Sequence, residues 1–79
     1  MNNIVEYREL IELLSDTITH DIHKLVVRLD SQLVILQLTG IYSFRNPAIY
    51  RMFLRVRILE RQFDSFSIST LVQKLKHIN

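Results

Sequence analysis

Gly40-Ile41-Tyr42-Ser43-Phe44-Arg45-Asn46-Pro47 contains the only glycine and the only proline of the 79-residue chain. Glycine accepts the positive φ that ends a helix. Asparagine caps a following helix, and proline suits its first position. On either side run long segments whose apolar residues recur at spacings of three and four. The stretch therefore predicts the bend of an antiparallel helical hairpin.

Upstream of the bend, Ile4, Tyr7, Ile11, Leu14, Ile18, Ile22, Leu25, Leu29, Leu33 and Leu36 hold one helical stripe. Glu6, Glu9 and Glu12 fall in the early turns, where the helix dipole favours anions. Ser15 to Asp21 is the weak point, because its serine, threonine and aspartate residues favour caps and turns. The stripe keeps its phase across them, which predicts a continuous or gently bent helix. Leu33-Val34-Ile35-Leu36 is rich in branched residues and admits a strand. No second strand is evident to pair with it, so the expectation there is a helix touching two neighbours.

Downstream, Ile49, Met52, Phe53, Val56, Leu59 and Phe63 form one apolar face of a second helix. Arg51, Arg55, Arg57 and Arg61 occupy the other side, with a second apolar ridge of Tyr50, Leu54 and Ile58 among them. Serines at 65, 67 and 69 loosen the pattern, and Leu71, Leu75 and Ile78 then share one side of a last short segment. The expectation is a single all-α domain: helix 4–39, bend 40–46, helix 47–64 and a short third C-terminal helical segment over 67–78.

Hydrophobic residues make up 48% of the chain and charged residues 23%. A hairpin with one internal seam cannot hide that much apolar surface, which points to a protein partner, a homo-oligomer or a third helix folding back. Aromatic and arginine side chains are enriched at interfaces. Tyr50, Leu54, Ile58, Arg51, Arg55, Arg57 and Arg61 are thus the candidate partner-binding residues. A net charge of +2 is too small to imply nucleic acid, which is not expected as the partner. There is no cysteine, which suits a reducing cytoplasm. The N-terminus shows no basic region followed by an apolar core, and the most apolar run, Leu25 to Leu38, is too interrupted to span a membrane.

His20 and His23, beside Asp16 and Asp21, have a spacing that can bring two imidazoles to one metal. Nothing else converges on them, so they read as a solvated polar face, with no metal site. Glu60 falls within the apolar face of the second helix and reads as the partner of an arginine or as a residue at the rim of an interface. No nucleophile or glycine-rich phosphate loop accompanies it. The residues predict no enzyme and no cofactor.

With Asn46-Pro47-Ala48-Ile49-Tyr50 opening a second helix after a long first one, and Leu59-Glu60 further on, the chain resembles the small E-type co-chaperones of type III secretion systems. That resemblance implies a cytoplasmic protein that pairs with a repeat-type chaperone and keeps a needle subunit monomeric before export. A second resemblance, through Leu36-Gln37-Leu38-Thr39-Gly40, Asn46-Pro47-Ala48-Ile49 and Leu59-Glu60 with Asp64, is to the YmgB/AriR type of small biofilm and acid-resistance regulator. It implies a dimeric regulator acting on protein or DNA.

Overall fold

The computed structural model describes residues 3–40 and 43–69. Helix α1 spans Asn3–Thr19, strand β1 Lys24–Arg28, helix α2 Gln32–Leu38, helix α3 Pro47–Glu60 and strand β2 Ser65–Ser69. The two strands pair in parallel, from Lys24 opposite Ser65 to Arg28 opposite Ser69. Parallel neighbours need a crossover, and α2 and α3 supply it. The fold is therefore α/β and corrects the expected all-α hairpin.

The expected helix over 4–39 is broken twice. α1 buries Tyr7, Leu10, Leu14 and Thr17, a stripe at spacings of three and four. It ends where Asp21 takes φ 60. The Asp21 N–H donates to Ile18 at 3.0 Å and the Ile22 N–H to Thr17 at 3.1 Å. That pair of bonds is a Schellman closure, with aspartate in the place glycine usually takes. β1 follows, turning Val27 to the core and leaving Val26 69% exposed.

Ser31 then restarts the helix: its fully buried hydroxyl accepts from the Val34 N–H at 3.3 Å. The branched run Leu33 to Leu36 is thus helical, while the strand lies just before it. Gly40, at φ +81, closes α2 through its N–H to Gln37 at 3.1 Å. Asn46 caps α3, its side-chain oxygen accepting from Ala48 at 2.8 Å and Ile49 at 3.4 Å, and Pro47 opens the helix.

α3 ends at Glu60, short of the expected 64, and Asp64 donates its N–H to His23 at 2.8 Å, leading the chain into β2. Ser67 to Ser69, expected to begin a third helix, are strand; positions 70–78 of that expected segment lie outside the described residues. The core gathers Tyr7, Leu10 and Leu14 of α1, Val27 of β1, Val34, Ile35 and Leu38 of α2, and Val56 of α3, with Leu29 and Phe63 at its edge.

Candidate functional site

Two carboxylates far apart in sequence line one cleft. Glu6 lies in the first turn of α1. Asp30 follows the carboxyl end of β1, the end at which open α/β sheets place their ligands. Both line a cleft of about 210 Å³, together with Glu9, Arg28 and the apolar Leu10, Leu13, Val27 and Leu29. Glu6 is half-buried, whereas Glu9 and Asp30 are exposed.

Local bonds hold this rim together. The Leu29 N–H donates to Ser69 at 3.0 Å, carrying the parallel ladder one residue past β1 and fixing the backbone just before Asp30. The Ser31 hydroxyl, besides capping α2, donates to the Asn3 side-chain oxygen at 3.5 Å. That link ties the turn after β1 to the start of α1, and so ties Asp30 to Glu6. Beneath it the Tyr7 hydroxyl donates to Gln37 Oε1 at 2.8 Å, joining α1 to α2 inside the core. Burial pushes the Tyr7 phenol up to about 12, against a smaller downward pull from the positive Arg57.

Carboxylate oxygens are hard donors of the kind that hold magnesium-class cations. Among the described residues, however, no three histidine, cysteine, aspartate or glutamate groups converge closely enough to hold a metal ion. The donor chemistry fits such an ion and the number of donors does not.

The residues singled out from sequence lie elsewhere. Tyr50, Leu54 and Ile58 are 45%, 41% and 60% exposed along the outer side of α3. Arg51, Arg55 and Arg61 are exposed beside them. Arg57 is partly buried: it pairs with Glu60 at 2.8 Å, donates to the Leu38 carbonyl and lies 4.9 Å from the Phe53 ring centre. Tyr50 packs beside Phe44, with ring centres 5.2 Å apart. Among the described residues the exposed side chains of His20 and His23 form ion pairs with Asp16 at 3.5 Å and Asp21 at 3.3 Å respectively.

Neither Glu6 nor Asp30 stood out as a site residue in the sequence. Glu6 read as a partner of the helix dipole, and Asp30 as an interruption of an apolar run. The available signal was an acid directly after a branched apolar stretch, usable only once that stretch is recognised as a strand.

Residues 1–74 match the reverse transcriptase-like family, and the chain belongs to it. Among solved structures it is similar to RNase H1 from the halophilic archaeon Halobacterium salinarum NRC-1, with a TM-score of 0.85 and 34% identity, over 98% of this chain and 58% of that one. It is also similar to the N-terminal RNase H domain of Rv2228c from Mycobacterium tuberculosis, with a TM-score of 0.82 and 28% identity, over 90% of this chain and 54% of that one. The bifunctional protein Rv2228c of Mycobacterium tuberculosis H37Rv is 32% identical over 62 residues. The match covers 78% of this chain and 17% of that relative, so the chain spans a small part of the curated proteins it matches.

These likenesses overturn several expectations at once. The chain is neither an E-type co-chaperone nor a YmgB/AriR-type regulator. Its neighbours are nucleases, which corrects the reading of a non-enzymatic module with no nucleic-acid partner. Among the described residues no helix is long and apolar enough to cross a membrane.

Proposed function

We propose that this chain forms part of a ribonuclease H-like nuclease that hydrolyses phosphodiester bonds in an RNA–DNA hybrid. The observation that carries the reading is the meeting of Glu6 and Asp30 in one cleft at the carboxyl end of β1, on a fold shared with RNase H1. Phosphodiester hydrolysis needs a water aligned with the leaving oxygen and a group that takes its proton. Glu6, half-buried in a cleft that Leu10 and Leu13 also line, offers a carboxylate for that task. Asp30, at the open side, orients the attacked phosphate by hydrogen-bonding through water. Arg28, in the same lining, offsets part of the repulsion between the acidic rim and the phosphate. Because the described donors are too few for a metal centre, no step is assigned to a metal. We take the chain as a single domain, and its lack of cysteine accords with a cytoplasmic setting.

The test is cleavage of an RNA–DNA hybrid with magnesium present. Glu6→Gln and Asp30→Asn should each lower the rate by roughly 100-fold or more, with unchanged circular dichroism and retained hybrid binding. Wild-type rates in both variants would remove the cleft from consideration.

A further inference from the structure

The outer face of α3 presents an apolar row to solvent. Tyr50, Leu54 and Ile58, each one turn from the next, are all more than 40% exposed. A helix facing water does not normally carry such a row unless something covers it. Arg51, Arg55 and Arg61 stand among these residues and take part in none of the ion pairs of the described residues. The acid on α3, Glu60, is engaged by Arg57. The face is therefore cationic and apolar, with no anion of its own.

Its complement is present on the same molecule. The outer face of α1 exposes Glu12 and Asp16, one turn apart, and Leu13 between them is 45% exposed. On α3, Arg51 and Arg55 are likewise one turn apart, with Leu54 between them at 41% exposed. The rise per turn of about 5.4 Å is common to both helices, so both charges can be met in one register. Glu12 has no ion pair among the described residues, and Asp16 meets only the exposed ring of His20.

We propose that α3 of one copy docks on α1 of a second copy, Arg51 and Arg55 meeting Glu12 and Asp16, with Leu54 and Leu13 covered between them. α1 and α3 pack against each other within one copy, so a two-fold arrangement makes this contact twice and closes on itself. A phosphate backbone would satisfy the arginines but would leave Leu54 and Ile58 against water and polar oxygens. A second protein surface satisfies both. The proposal does not rest on the nuclease reading: Glu6 and Asp30 take no part in the contact, although it borders their cleft at Leu13.

The experiment is mass by sedimentation over a concentration series at low and moderate salt, with circular dichroism confirming the fold of each variant. The wild-type chain should pass from monomer to dimer as concentration rises, less readily at higher salt. Arg51→Glu with Arg55→Glu should weaken the dimer by roughly tenfold or more, and so should Glu12→Lys with Asp16→Lys. Combining all four substitutions restores opposite charges across the contact and should restore the dimer. A wild-type chain that stays monomeric throughout overturns the proposal, and so does a four-fold variant that fails to recover. If the arginine reversal abolishes hybrid binding while every variant stays monomeric, the surface belongs to nucleic acid and the dimer is excluded.

Discussion

Tyr7 is fully buried and bonded to Gln37, and burial pushes its phenol up from the ordinary tyrosine range to about 12. In the unfolded chain the phenol releases its proton near its ordinary value, whereas the folded chain holds it. Between pH 10 and 12 the unfolded state therefore binds fewer protons, and stability falls as pH rises. The contribution is complete below pH 10 and declines by on the order of 2 kcal/mol through that window. Urea unfolding at a series of alkaline pH values should show this decline in the wild type and a flatter profile in Tyr7→Phe. That variant should also lose about 1–3 kcal/mol at neutral pH, because Gln37 is left without its donor. Single residues were unevenly legible in the sequence. Gly40, Asn46 and Pro47 announce their roles by type, and the structure shows a positive φ, a cap and a first helical position there. Asp21 does not announce itself, since aspartate enters the left-handed region only sometimes. Arg57 was grouped by spacing with its exposed neighbours, and spacing did not reveal its bonds to Glu60 and the Leu38 carbonyl.

At the scale of elements, the strands were hidden by arithmetic. Ile22, Leu25 and Leu29 continue the three-and-four spacing of α1 by coincidence, so a stripe seemed to run through β1. Five residues of strand are too few for a period of two to compete with a helical period sustained over many turns. Ser65-Phe66-Ser67-Ile68-Ser69 does alternate, yet its serines read as helix weakness. The pairing resolves both segments, because Phe66 and Ile68 pack on the core while Ser65 and Ser67 stay exposed. The bonds from Ser65 to His23 and from Leu29 to Ser69 fix the phase of the ladder, so the N–H of Ser67 faces β1. Ser67→Pro should remove one ladder bond and cost about 1–3 kcal/mol. Ser67→Thr, which keeps the N–H, should cost little. Thermal midpoints of the two variants compared with the parent chain would check this.

For the whole molecule, the candidate site depends on Asn3 and Ser31 bringing two distant stretches to one rim. No motif spacing encodes such a meeting, which is why the carboxylates were missed. Ser31→Ala removes both the α2 cap and the link to Asn3. It should lower stability by about 1 kcal/mol and reduce hybrid cleavage beyond what that loss explains. Ser31→Thr, which keeps the hydroxyl, should recover part of each. Rate and stability measured together on the two variants would separate positioning of the rim from plain destabilisation.

The parallel pairing of β1 with β2 also sets an order in time. Lys24 and Ser65 are register partners, yet roughly forty residues separate them, and closing so long a loop carries an entropy cost that local helical turns do not. α1, α2 and α3 can each form from neighbours in sequence, but the sheet has to wait until α2 and α3 have packed and returned the chain to β1. Asp30 sits at the end of that late-forming sheet, tethered through Leu29 and Ser69. During refolding, helical signal should therefore rise before the carboxylate rim is assembled, and during synthesis the rim cannot close until β2 has left the ribosome.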